Sequence, residues 1–155
     1  MNNAAFDVRP ASPSDQQAIR TLVHSEWLNP NDLDWRRFVV ATDANDVVGA
    51  VQLRRHADGS RELGSLVVRK EARGCGLAAK LIDRLLASIT ARVFMITGAA
   101  FASHYRRWGF GPIPPVLAPS SVRRNYDIGR LVGVFAFLLG RRRKHLVILG
   151  RHAWR

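Results

Sequence analysis

The stretch from Glu62 to Leu86 restricts the fold of this chain more than any other. Glu62-Leu-Gly-Ser-Leu-Val-Val-Arg has strand character, and a short turn later Arg73-Gly74-Cys75-Gly76-Leu77-Ala78 opens a helix. Leu77, Leu81, Ile82, Leu85 and Leu86 recur at helical spacing, which predicts a helix over 74–87 with one apolar stripe. Two glycines at a strand-to-helix junction let the backbone approach a ligand closely and leave N–H groups pointing outward. The helix N-terminus adds partial positive charge, so the junction suits a pyrophosphate. The alternative is a helix that merely begins with glycines. Neither Gly-x-Gly-x-x-Gly nor Gly-Lys-Ser/Thr is present, which argues against dinucleotide and P-loop readings.

Upstream, Phe6–Pro10 is a short strand stopped by proline. Ser12-Pro-Ser-Asp starts a helix carrying Ala18, Ile19, Leu22, Val23 and Trp27 on its stripe. Strands over 37–42, 47–55 and 62–69 follow, joined by turns at Asp43-Ala-Asn-Asp and His56-Ala-Asp-Gly-Ser. Downstream of the glycine junction, Arg92-Val-Phe-Met-Ile-Thr reads as a buried strand. Phe101–Trp108 reads as a short helix ended by Gly109, and a proline-rich loop follows. An apolar helix opening at Asn125 or Asp127 runs to Leu139, and a last strand covers 144–150. The order predicts one α+β domain over residues 1–155, a mixed sheet with helices packed on it.

Composition narrows the function classes. With 47% hydrophobic and 23% charged residues the chain is that of a globular protein, not a disordered one. A single cysteine, Cys75, excludes an internal disulfide and a multi-cysteine zinc site, and the histidines show no metal spacing, so no metal is expected. The N-terminus has no basic region followed by an apolar run, and no stretch approaches the roughly 18 apolar residues of a membrane span. A cytoplasmic location is expected. The net charge is +12, but residues 1–77 hold ten Lys/Arg and ten Asp/Glu, so all of it lies in the second half. Residues 123–155 alone hold nine Lys/Arg and one acid. That segment is either a docking surface for an anionic partner or a solvated basic face.

Leu66-Val-Val-Arg-Lys-Glu-Ala-Arg-Gly-Cys-Gly-Leu-Ala-Ala-Lys-Leu-Ile resembles motif A of the GNAT superfamily of N-acetyltransferases. The family's Arg/Gln-x-x-Gly-x-Gly/Ala is met by Arg73, Gly76 and Ala78. His104-Tyr-Arg-Arg-Trp-Gly-Phe110 resembles its motif B, and the interval between the two fits as well. The resemblance covers about residues 6–112 and the last strand. It leaves 111–144 as a variable loop and apolar helix. It implies a central, mostly antiparallel sheet with one splayed parallel pair, and acetyl-CoA as co-substrate. The pantetheine would pair with the backbone of Leu66, Val67 and Val68. The pyrophosphate would sit on the N–H groups of Arg73, Gly74, Cys75, Gly76, Leu77 and Ala78.

Acetylating an amine requires its neutral form. At pH 7 an alkylamine of pKa near 10.4 is neutral in only about one molecule in a few thousand, a cost of roughly 4.6 kcal/mol. A general base recovers part of that. Glu62 shares a strand face with residues 64, 66 and 68 by period two, and several family members carry a glutamate there. It is either the base or an ion-pair partner of a neighbouring arginine. Tyr105 occupies the place of the motif-B tyrosine, which the resemblance assigns as the acid for the leaving thiolate, the alternative being packing against the cofactor. Family members often carry Asn seven residues before that tyrosine. Here the position is Gly98, with Thr97 or Ser103 as substitutes.

The segment Glu26-Trp-Leu-Asn-Pro-Asn-Asp-Leu-Asp-Trp35 lies where the fold roofs its acceptor site. It holds three carboxylates and two tryptophans. Glu26, Trp27 and Trp35 are candidate acceptor-binding residues for a cationic amine, free or on a protein. Alternatively both tryptophans belong to the core. The helix over 128–139 is apolar nearly all round, which predicts burial in the core or at a subunit interface such as a homodimer's. Three functions follow: an acetyltransferase acting on a primary amine, a non-catalytic acyl-CoA sensor, or a basic accessory protein docking RNA or the ribosome through 123–155.

Overall fold

The computed structural model describes residues 6–26, 28–138 and 145–152. Seven strands form one sheet in the order β1-β2-β3-β4-β5-β7-β6. The chain divides into two compact units, residues up to Arg54 with Gly64–Ile89, and Arg55–Leu63 with residues from Thr90 onward.

In the first unit, β1 (Asp7–Pro10) pairs antiparallel with β2 (Phe38–Asp43), and β2 with β3 (Asp46–Arg55), with a register shift at Ala41/Thr42. The helix α1 (Gln16–Ser25) buries Ile19, Leu22 and Val23, three residues of one 3.6-period stripe. They join Phe38, Val40, Ala50 and Val67 in a single core cluster. The helix α2 (Leu77–Leu86) buries Leu77, Leu81, Ile82, Leu85 and Leu86, the whole of the stripe expected from the sequence. It starts three residues later than expected, because Gly74 and Gly76 adopt left-handed backbone and form the loop before it.

The strand β4 (Arg61–Val68) contributes Arg61–Leu63 to the second unit and Gly64–Val68 to the first. Within the second unit it runs parallel to β5 (Val93–Gly98), with Glu62 opposite Phe94 and Leu63 opposite Met95. It is the parallel pair of an otherwise mostly antiparallel sheet. The strand β7 (Leu146–Arg151) pairs antiparallel with both β5 and β6 (Phe110–Ile113). Phe94, Ala118, Val122 and Ile148 make the core here, with Tyr126 packed against them.

Two expectations need correction. Residues 110–113 form a strand, not part of a loop, since their partner β7 supplies the pairing that Pro112 disfavours only locally. Residues 99–108 are helical, as read over Phe101–Trp108, in 3₁₀ turns that Gly109 closes in left-handed backbone. The last helix, α3, spans Ser120–Leu138 and opens at Ser120 rather than Asn125 or Asp127. Its first turn gains an outside acceptor: Asp58 takes hydrogen bonds from the Ser121 N–H (3.0 Å) and the Ser120 hydroxyl (3.2 Å). Nor is α3 buried all round in the core, because Ile128, Leu131, Val132 and Leu138 are exposed, which leaves the interface alternative of that expectation.

Candidate active site

The glycine loop begins where β4 ends. A 3₁₀ turn over Lys70–Ala72 leads into Arg73 in extended conformation, then Gly74 at φ +84° and Gly76 at φ +76°. A β-carbon on either glycine would meet no protein atom within 4 Å, so the loop borders open space on the side a ligand would approach. Gly76 supplies no capping side chain, and the first-turn N–H groups of α2, at Leu77 and Ala78, have no intrahelical acceptor. Cys75 is exposed and its thiol donates to the Ala72 carbonyl at 3.1 Å. The Arg73 Nε donates to the Val68 carbonyl at 2.8 Å, tying the guanidinium back to the end of β4. A groove of about 640 Å³ runs beside the loop, its lining mixing the cations Arg69, Arg73 and Lys80 with Asp43, Asp46 and Glu71. These features fit a phosphate-bearing ligand. Lys80, missed in the sequence reading, lies four residues after Gly76, where one helical turn returns a side chain towards the loop.

Along β4, Val67 and Val68 are buried and Leu66 is half-buried. The alternation assumed for residues 62, 64, 66 and 68 does not run unbroken. Ser65 sits at φ +49°, a left-handed kink that interrupts the two-residue period between Glu62 and Leu66. Ser65 is buried within a polar cluster with Gln52 and Arg54, and the Arg54 guanidinium donates to its hydroxyl at 3.0 Å. Gly64 makes room for that guanidinium, since a β-carbon there would lie 2.6 Å from Arg54 Nη1. A buried arginine was not legible in Arg54-Arg55, which reads as the wet end of a strand.

Glu62 is 3% exposed. Its Oε2 shares a hydrogen bond with His56 Nε2 at 2.8 Å and accepts one from the Asn125 amide at 3.0 Å. The hairpin between β3 and β4 places His56, and the first half of α3 places Asn125. The expectation weighed only an arginine as partner; these two come from six and 63 residues away.

Tyr105 lies half-buried in the 3₁₀ run, its ring edge-on to Phe110 at 6.4 Å and tilted against Trp108 at 6.2 Å. Burial raises the phenol pKa above its usual 10, and a hydrogen bond from the Thr97 side chain opposes the shift. Thr97 thus supplies a polar group beside Tyr105, while the neighbouring Gly98 supplies none. Phe101 packs 3.4 Å from the point where a side chain on Gly98 would begin. His104 is exposed and its ring lies 6.2 Å from that of Phe101.

Around the expected acceptor segment, every carboxylate has an arginine partner. Glu26 accepts from Arg73 at 2.7 Å, Asp34 from Arg36 at 3.3 Å, and Asp32 pairs with Arg37. Trp35 packs against the core cluster, and the Arg36 guanidinium lies 4.9 Å from the centre of its ring. Trp35, Asp32 and Asp34 border a second groove of about 720 Å³ with Gln16, Arg20 and His24. Trp27 lies outside the described residues.

The sequence profile described as "Acetyltransferase (GNAT) domain" matches residues 34–112, which include the glycine loop and Tyr105. The chain belongs to the GNAT acetyltransferase family. Acyl transfer is the chemistry of that family and acetyl-CoA its co-substrate. Solved structures agree on the fold. N-acetylglutamate synthase from Neisseria gonorrhoeae, complexed with coenzyme A and N-acetyl-glutamate, superposes with a TM-score of 0.71 at 17% identity. That match covers 99% of this chain and 36% of the synthase, so this chain spans about a third of its length. Rv2747 from Mycobacterium tuberculosis, in complex with CoA, gives 0.70 at 25% identity over 96% and 99% of the two chains. A GNAT-family acetyltransferase from Staphylococcus aureus gives 0.67 at 16% identity over 95% and 98%. No curated protein matches this sequence. Among the described residues no helix of this GNAT domain is long and apolar enough to cross a membrane.

Proposed function

We propose that this GNAT domain moves an acetyl group from acetyl-CoA to a primary amine by direct attack. The observation that carries the reading is the loop Arg73–Ala78, with two left-handed glycines open to solvent, an uncapped helix start and a cation-bearing groove beside it. In this reading the loop holds the pyrophosphate on the N–H groups of the expected Arg73–Ala78 run, less that of Arg73, which donates to the Lys70 carbonyl at 3.3 Å, and the backbone of Leu66–Val68 pairs with the pantetheine. Glu62 takes the proton that the attacking nitrogen must shed, directly or through a water. His56 and Asn125 fix its Oε2, so its carboxylate is held in one rotamer. Tyr105 gives its proton to the departing thiolate, and its raised pKa keeps the phenol protonated at neutral pH. Glu26, Trp27 and Trp35 remain the acceptor-side candidates. The arginine partners of the segment's carboxylates favour an acceptor that displaces or bridges an ion pair over one that meets bare negative charge.

The test is CoA-thiol release measured with acetyl-CoA and a panel of primary amines, from polyamines and amino acids to peptide α-amines and lysines. Turnover with at least one amine is expected. Tight CoA binding with no thiol release across the panel would leave a sensor, and no CoA binding would overturn the loop assignment.

A further inference from the structure

The helix α3 is mounted with its bulk outward. Val122, Tyr126 and Gly129 follow a four-three spacing, which puts them on one stripe. Val122 is fully buried, Tyr126 packs on the core of its unit, and a β-carbon on Gly129 would come within 3.0 Å of Leu146. That stripe seats the first half of the helix. Ile128, Leu131, Val132 and Leu138 point elsewhere and are 52, 59, 62 and 72% exposed. An ordinary surface helix is built the other way, with the large apolar residues inward and charge outward.

Charge decides what covers this face. Arg123, Arg124 and Arg130 are exposed on the same helix against a single acid, Asp127. The sequence then continues with Arg141-Arg-Arg-Lys144. Two copies meeting through α3 would bring like charges together. Nucleic acid would satisfy the arginines and leave four large apolar side chains in water. A surface that is anionic outside and apolar just beneath satisfies both sets, and that describes the headgroup boundary of an acidic bilayer.

We propose that α3 docks this protein on anionic lipid, lying in the interface with Ile128, Leu131, Val132 and Leu138 inserted and Arg123, Arg124 and Arg130 at headgroup level. The helix does not span the bilayer. The test is co-sedimentation of the full chain with vesicles of pure phosphatidylcholine or of phosphatidylcholine with phosphatidylglycerol. Binding is expected only with phosphatidylglycerol, weakening as salt is raised. The double variant L131E/V132E, at two exposed positions that leave the seated stripe intact, should lower binding about ten-fold or more. Circular dichroism and acetyl-CoA turnover report that the variant is folded. No binding to phosphatidylglycerol vesicles would overturn the proposal, as would undiminished binding by L131E/V132E. A dimer seen by sedimentation, dissociated by L131E/V132E and indifferent to vesicles, would assign the face to a second copy instead. RNA binding that L131E/V132E leaves intact, with vesicles unbound, would assign it to nucleic acid.

Discussion

Tyr105 and Gly76 place the sharpest demands on the proposed chemistry. A phenol whose pKa is raised by burial holds its proton through neutral and mildly alkaline pH, the state a general acid needs. Tyr105→Phe keeps the ring against Phe110 and Trp108 and removes the hydroxyl, with its proton and its hydrogen bond with Thr97. We expect kcat to fall about 100-fold with little change in the acetyl-CoA KM, read from steady-state kinetics. An equal kcat would remove Tyr105 from the acid role. Gly76→Asp tests the loop. A side chain there meets no protein atom, so its effect comes from strain at φ +76° and from a carboxylate set where phosphate would lie. Acetyl-CoA binding by calorimetry should become undetectable while the fold persists. At this scale the sequence was legible where geometry is written into consecutive residues, as in the left-handed Gly74 and Gly76 before α2. It was silent on His56 and Asn125. Nothing in a linear string says that a ring six residues away and an amide 63 residues away will converge on one carboxylate oxygen.

Elements were legible where one face is buried and obscure where pairing or an outside group decides. The stripe of α2 announced itself because all five of its leucines and isoleucines are buried. The strand β6 did not, since Phe110-Gly-Pro-Ile lacks any pattern of its own and exists through β7. The kink at Ser65 likewise has no sequence signature, and it undid the face assignment made for β4. One element junction yields a pH prediction. Asp15, in the turn before α1, is bonded to the Arg9 guanidinium of β1 at 2.7 Å and to the Ser12 N–H, also at 2.7 Å. The hydrogen bond from Arg9 is the main reason its pKa falls to about 2 from the usual 3.8. The unfolded chain therefore takes up this proton first as pH drops. The stabilisation is complete above about pH 4 and is lost as pH falls towards 2. In Asp15→Asn, urea titrations should show lower stability at pH 7 and a shallower loss between pH 4 and pH 2.

For the whole molecule, the ligand and the covalent path make a joint prediction. The proposal that residues 1–155 act as one domain rests on β4, a single strand that serves both units. Acetyl-CoA at about 100 times its Kd should add about 2.7 kcal/mol and raise Tm by roughly 5–10 °C. A single shifted transition in calorimetry is expected; two transitions, only one of them moved by ligand, would show that the units unfold separately. The fold class was readable in advance because a meander, a glycine loop and a buried strand leave few ways to close a sheet. The address of the +12 charge was readable too, but not its use, since the orientation of α3 depends on which of its apolar sides is narrow enough to seat. The two outermost strands of the sheet carry one more consequence. Both β1 and β6 are four residues long and each contains a proline, Pro10 and Pro112. Short, proline-bearing borders offer little template for another chain to add on by backbone pairing. At these two borders, association between copies is thereby left to side chains, and a concentrated solution has poor seeds there for fibre growth.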